Sequence, residues 1–384
     1  VSRFKVPFLA TAVGMSAALV SPVTNATRGL RRAMGAMPGA ITGKYDDSPQ
    51  YKDGAFQNRL PSYVVEVGGQ GSMAIEFAKK GDVGRPAAPV PLVTPELPAQ
   101  AADLAATWLG HATVLLEIAG NWVLLDPVWS DRVSPSATVG PKRSHPVPME
   151  LDGLPELAAV LISHDHYDHL DTATIDWLTE HQSVPFVVPL GIGQHLRRWN
   201  VPDDRIIELD WEQSHVLPSA DGTDLTLTCT EARHFSGRGL TRNHTLWSSW
   251  VAAAGPAESR RRVFFGGDTG YTPAFKDIGA DHGPFDLTVL PIGAYDARWA
   301  DIHMNPPEAV QTHLDVRGGI LLPIHWATFD LAFHSWAAPV EWLVEEAAAK
   351  GVTVALPRPG ERFETDNIPT ADWWRASAKA IRAS

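Results

Sequence analysis

The run Ala158-Ala159-Val160-Leu161-Ile162-Ser163-His164-Asp165-His166-Tyr167-Asp168-His169 passes from apolar residues into a cluster of histidine and aspartate. Small and β-branched apolar residues bounded by a polar cluster read as a buried strand. A loop leaving such a strand presents several ligands from one tight turn at the sheet edge. Neutral imidazole and carboxylate are both groups that zinc accepts, at about 2.0–2.2 Å. A His-x-His pair alone is common on protein surfaces, whereas the whole His-x-His-x-Asp-His string is far more specific for metal.

Working outward, the same arrangement recurs three times. His234 follows the apolar run that ends at Thr230, Asp268 follows Phe264-Phe265-Gly266-Gly267, and His325 follows Leu321-Leu322-Pro323-Ile324. Each stands at the C-terminal end of a strand-like run. With His164, His166, Asp168 and His169 they exceed what one tetrahedral zinc takes, and they suit two ions sharing a bridging carboxylate and a hydroxide. Two metals roughly 3.5–4 Å apart hold a hydroxide at neutral pH and stabilise the attacking and leaving oxygens. That chemistry fits ester, amide or phosphodiester hydrolysis.

Strand-like runs over 157–163, 185–189, 224–230, 247–253, 262–267, 287–292 and 319–324 alternate with helical patterns over 171–181, 191–200, 306–314 and 339–350. This alternation predicts an α/β architecture. The domain opens with strands over 107–118 and 122–125 joined by Ala119-Gly120-Asn121. Residues 101–365 are expected to form the catalytic domain and 366–384 a C-terminal tail. Residues 41–100, with Pro86, Pro89, Pro91, Pro95 and Pro98 close together, read as an extended arm.

Residues 1–40 read as a hydrophobic leader. Arg3 and Lys5 precede a mostly apolar stretch over 6–20 that is shorter than the roughly 20 residues of a comfortable membrane span. A secretory signal fits this pattern, and Arg28, Arg31 and Arg32 equally suit an uncleaved anchor at a lipid surface. The expectation is an exported or membrane-associated protein, with cytoplasmic residence as the alternative.

Across the 384 residues, 44 Asp and Glu outweigh 32 Lys and Arg, for a net charge of −12. Without a long basic run, nucleic acid is not expected as a partner. Cys229 is the sole cysteine, which excludes an intramolecular disulfide and a thiolate zinc cluster. Fourteen tryptophans against six tyrosines suggest a large aromatic core, some of it lining an apolar substrate groove.

The metal string and its partners resemble the metallo-β-lactamase fold superfamily, which implies an αββα sandwich, here with an N-terminal extension. Within it, Thr107-Trp108-Leu109-Gly110-His111-Ala112-Thr113, Ser134-Pro135-Ser136, Gly140-Pro141-Lys142-Arg143, Gly267-Asp268-Thr269-Gly270-Tyr271, Pro291-Ile292-Gly293-Ala294-Tyr295 and Ile324-His325-Trp326 are similar to the N-acylphosphatidylethanolamine-hydrolysing phospholipase D family. The resemblance implies that His164, His166 and His234 hold one zinc, that Asp168, His169 and His325 hold the second, and that Asp268 bridges them. It further implies attack by a metal-bridging hydroxide on an N-acylphosphatidylethanolamine-like lipid, giving phosphatidic acid and an N-acylethanolamine. Tyr167 and His303 match family positions near the reacting phosphate, where they would orient substrate or assist the leaving group. Ile302 stands where the family carries glutamine, so head-group or acyl selection is expected to differ.

Asp126, at the end of Leu124-Leu125-Asp126-Pro127, resembles the superfamily's early aspartate, which orients the ligand loop. His111 suits either a place in the site or a buried structural role. Lys142, Arg143 and Arg298 are candidates to neutralise a phosphate, or to form surface ion pairs. The expected partners are a phospholipid or other phosphodiester and a membrane surface, and a homodimer is compatible with the reading. Hydrolysis of lactones or β-lactams is the alternative enzyme, and a metal-stabilised lipid-binding protein the alternative without catalysis. Iron and manganese also accept this ligand set.

Overall fold

The computed structural model describes residues 29–63, 75–77, 79–219, 223–239 and 241–378. The apolar leader expected over 6–20 lies outside the described residues. Among the described residues no helix is long and apolar enough to cross a membrane.

Short helices α1 (Leu30–Ala33) and α2 (Pro38–Ile41) and a small hairpin of β1 (Tyr51–Lys52) and β2 (Ala55–Phe56) precede the main body. The first large sheet contains β3 (Leu104–Gly110), β4 (Thr113–Ile118), β5 (Asn121–Leu125), β6 (Ala159–Leu161), β7 (Phe186–Pro189) and β8 (Ile206–Leu209). The second contains β9 (Ser214–Leu217), β10 (Leu225–Thr230), β11 (Ser249–Ala254), β12 (Arg261–Phe265), β13 (Phe285–Pro291), β14 (Gly318–Ile324) and β15 (Thr353–Val354), and β16 (Arg362–Glu364) returns to the first. Their orders are β16-β3-β4-β5-β6-β7-β8 and β15-β14-β13-β12-β11-β10-β9. In each sheet antiparallel pairing on one side gives way to parallel pairing on the other, from β5 to β8 and from β12 to β15.

Strand periodicity explains the layering. Val114, Leu116, Val123, Leu125, Ala159 and Leu161 pack between the sheets against Leu225, Leu227 and Cys229. Their neighbours Leu115, Leu124, Val160 and Ile162 turn outward, onto Ile175 and Leu178 of α3 (Thr172–His181) and Ile192 and Leu196 of α4 (Ile192–Arg198). The second sheet is covered by α5 (Ala274–His282), α6 (Pro306–Asp315) and α7 (Ala338–Lys350), through Phe275, Val310 and Leu343. The result is the expected αββα sandwich.

One expected strand is divided. Instead of running through 107–118, the chain reverses after Gly110 (φ 105°) at His111 (φ 49°), so that β3 and β4 pair antiparallel. A Cβ on Gly110 would approach His145 Cε1 to 2.9 Å, so a glycine suits this turn on two counts.

The C-terminal segment folds back onto the body. Trp374 is fully enclosed beside Trp373, both within a cluster that includes Trp326, the residue after His325. Residues of the proline-rich segment lie on the same region: Ala87 N–H donates to Ser377 O and Val93 N–H to Pro359 O.

Candidate metal centre

The parallel strands of both sheets deliver their C-terminal ends to one edge, where the hydrogen-bonding groups of short loops must be met by side chains. β6 ends just before Ser163 and His164. Trp250 Nε1 donates to Ile162 O and Ser248 N–H to Ser163 O, which stitches the two sheet edges together at the ligand loop. Gly267 precedes Asp268 at φ 57°, and a Cβ there would lie 2.5 Å from Ser163 Cβ. Only glycine allows the two ligand-bearing loops to approach so closely.

His164 Nε2 lies 2.7 Å from His166 Nδ1, and His234 Nε2 lies 3.3 Å from the same atom. These three form one group able to hold an ion. Asp168, His169 and His325 form a second group, which His111 joins. Asp168 Oδ2 is 3.6 Å from His169 Nε2 and 3.4 Å from His325 Nε2. Asp268 Oδ2 is 3.2 Å from His169 Nε2, 3.1 Å from His325 Nε2 and 3.9 Å from His234 Nε2, so one carboxylate reaches both groups.

The surrounding hydrogen bonds set the ring tautomers. His234 Nδ1 donates to Ile302 O and His169 Nδ1 to Asp126 Oδ2, leaving each Nε2 lone pair for the centre. Ser163 Oγ donates to Asp126 Oδ2 and can accept from His164 Nδ1, which leaves His164 Nε2 free in the same way.

Electrostatics favour a cation here. Burial, reinforced by the neighbouring imidazoles, holds His164 well below the usual histidine range, and burial likewise depresses His166 and His234. Burial also opposes charge on His169 and His325, but the carboxylates around them prevail. His169 is raised well above its ordinary value and His325 to about 9. Buried Asp168 and Asp268 are correspondingly held ionised by these imidazoles. His169 Nε2, His325 Nε2 and Asp268 Oδ1 are buried without a hydrogen-bond partner. Unsatisfied lone-pair atoms converging on a buried point are costly unless an ion meets them, so the donor set fits divalent metal.

The other candidate residues fall in different places. Asp126 is fully enclosed and accepts from Ser163 N–H, Ser163 Oγ and His169 Nδ1. His303 stands beside the centre, its Nδ1 3.8 Å from Asp268 Oδ2, and burial lowers it to about 4. It is carried just ahead of α6, whose start is fixed by the reciprocal capping of Asn305 and Glu308. His111 Nε2 is 2.9 Å from Asp168 Oδ2, and burial lowers His111 to about 3. Tyr167 has its hydroxyl donated to Arg238 O and its ring under the Arg238 guanidinium. Arg298 is engaged by Asp296 and Glu76, and Lys142 lies exposed 3.6 Å from Asp131. Arg143 is buried against the Phe329 ring.

Sequence reasoning passed over Asp165, Thr328 and Phe329. Asp165 is buried between the ligands and accepts from Gly237 N–H while its other oxygen faces His195 Nε2. Its place inside the metal string was the available signal. Thr328 Oγ1 accepts from His111 N–H and Phe329 meets the His111 ring edge-on, contacts with no local signature.

The family model for the beta-lactamase superfamily domain matches residues 121–326, which span the ligand-bearing strand ends from Asp126 to His325. The chain belongs to the beta-lactamase superfamily. An uncharacterised protein of Mycobacterium tuberculosis is 52% identical over 357 residues, covering 91% of this chain and 94% of its own length. The N-acyl-phosphatidylethanolamine-hydrolyzing phospholipase D 1 of Caenorhabditis elegans is 42% identical over 236 residues, covering 59% of this chain and 65% of its own. Among solved structures, the metallo hydrolase Igni18 of Ignicoccus hospitalis superposes with a TM-score of 0.51 at 21% identity, covering 68% of this chain and 98% of that one. This last likeness is one of fold. Within the superfamily sandwich, the candidate centre occupies the strand-end edge where loops from both sheets meet.

Proposed function

We propose that this superfamily member is a dinuclear zinc phosphodiesterase of the phospholipase D type, working at a lipid surface. Its proposed substrates are glycerophospholipids like N-acylphosphatidylethanolamine, cleaved to phosphatidic acid and an N-acylethanolamine. The observation that carries the reading is the pair of ligand groups joined by Asp268, in a chain homologous to a phospholipase D of that specificity.

His164, His166 and His234 would hold one ion, Asp168, His169 and His325 the other, and Asp268 both. Bound there, the ions supply Lewis acidity toward phosphoryl oxygens and acidify water. The chain's own groups do the rest. Asp126 orients His169 directly and His164 through Ser163. His303, neutral through burial, offers one N–H to a phosphoryl or leaving oxygen. Tyr167 braces the ligand loop through Arg238. Ile302 supplies the carbonyl that fixes His234 and an apolar side chain beside His303.

Metal analysis paired with a lipid-hydrolysis screen tests the proposal. Two zinc ions per chain and release of N-acylethanolamine are expected. Full metal loading without head-group release from any glycerophospholipid would overturn it, as would faster turnover of lactones or β-lactams.

A further inference from the structure

A cavity of about 700 Å³ is lined in part by Arg85, Arg132, Lys142, Arg143, Phe77 and Asp330. Four of its five charged lining residues are cations, in a chain whose net charge is −12. The one acid, Asp330, is already bound by Lys80.

Arg143 is the anchor of this pocket. It is 8% exposed, and the described hydrogen bonds of its guanidinium go to two backbone carbonyls, those of Ser130 and Val128. Its Nη1 is buried without any partner. Burial pushes the guanidinium down to about 10. Asp171 and Asp131 offset part of this burial through space, but neither is bonded to the guanidinium, and a buried cation with a spare donor gains from an anion that meets it. Arg132 and Lys142 oppose each other across an antiparallel bridge, so their side chains share a face. Like charges so placed repel. Their partners, Gly140 O for Arg132 and exposed Asp131 for Lys142, offset this weakly.

Two side chains, Phe329 and His111, link the pocket to the centre. The Arg143 guanidinium lies 5.1 Å from the Phe329 ring, Phe329 meets His111 edge-on at 5.0 Å, and His111 contacts Asp168. We infer that this cavity is a phosphate subsite, separate from the metal ligands, that takes a second phosphate-type anion through Arg85, Arg132, Lys142 and Arg143. The anion is either a phosphomonoester carried by the substrate or free phosphate. The substrate form rests on the phosphodiesterase reading; the subsite itself does not.

The zinc-loaded full chain and its Arg85→Gln/Arg132→Gln variant are titrated with inorganic phosphate by calorimetry. The metals also take phosphate, so the difference between the two proteins is the readout. Losing charge-assisted bonds should remove one phosphate per chain or weaken it about tenfold or more. Superimposable isotherms overturn the inference. Lys142→Gln, an exposed change, repeats the measurement if the double variant does not fold, and an unchanged isotherm there is equally fatal.

Kinetics distinguish the two sources. Two phosphodiesters with the same scissile bond are compared, one bearing an added phosphomonoester. A KM about tenfold lower for the latter, levelled in the variant, assigns the pocket to substrate. Equal KM values with the calorimetric difference intact assign it to free phosphate. No turnover of either diester, with that difference intact, upholds the pocket and counts against the phosphodiesterase reading.

Discussion

Asp126 Oδ2 lies 2.6 Å from His169 Nδ1, and both side chains are fully enclosed. The same carboxylate receives Ser163 N–H and Ser163 Oγ, and that hydroxyl contacts His164 Nδ1. A single buried acid therefore orients one imidazole in each ligand group. Burial pushes the Asp126 carboxyl up, while His169 and the Ser163 bonds favour its charge.

Asp126→Asn keeps the volume but turns one of the two acceptor oxygens into an NH2 donor, so Ser163 N–H on one side and Ser163 Oγ with His169 Nδ1 on the other can no longer all be accepted. Orienting partners of metal-binding histidines are worth roughly 10–100-fold in affinity or activity. The variant should lose affinity for both ions, since His164 and His169 belong to different groups. Competition with a chromogenic chelator reads this. Weakening of one ion alone would show that the Ser163 link does not orient His164.

Asp268→Ala removes the carboxylate oxygen that lies within 3.9 Å of the Nε2 atoms of His169, His234 and His325 together. Metal content should fall below two ions per chain and hydrolysis by roughly 10²-fold or more. Elemental analysis beside steady-state rates checks both. Two retained ions at normal rates would remove Asp268 from the centre.

The sandwich was legible because its central strands are apolar runs that stop abruptly, and the stops after β5, β6, β10, β12 and β14 are followed within a few residues by a histidine or aspartate. Such a pattern is local, and the structure brings His164, His166, Asp168, His169, His234, Asp268 and His325 to one edge. What was not legible depends on contacts distant in sequence. The reversal at Gly110 and His111 places a histidine at positive φ, against its intrinsic preference, where its backbone meets Thr328 and His325. Arg298 forms the surface ion pairs that were one of its two expected roles, with Asp296 nearby in sequence and with Glu76, 222 residues earlier. Trp373 and Trp374 read as a tail because nothing nearby announces that Trp108, Trp326 and Trp336 await them.

Those tryptophans give a stability prediction. Trp374 is fully enclosed, donates to Glu341 Oε1 and packs 6.1 Å, edge-on, from Trp326. Trp374→Ala should destabilise the fold by roughly 3–5 kcal/mol. Trp374→Phe should lose much less, because most of the ring surface remains. Denaturant titration of the two variants gives the comparison, and equal losses would mean that the Glu341 bond, not ring packing, holds the segment.

His313 supplies a pH prediction away from the metals. It is 2% exposed on α6, with Nδ1 2.8 Å from Thr288 Oγ1, and burial lowers it to about 4. An unfolded histidine takes up its proton near pH 6.5, so between about 6.5 and 4 the unfolded chain binds a proton that the folded chain does not. Its contribution is thus complete above pH 6.5 and lost as the pH falls toward 4. The separation amounts to roughly 3 kcal/mol. His313→Gln keeps a side-chain amide for Thr288 and does not titrate. Stability against pH should therefore fall less steeply in the variant over that window, with the two curves running parallel above it. Parallel curves throughout would mean that His313 remains accessible to protons in the folded state.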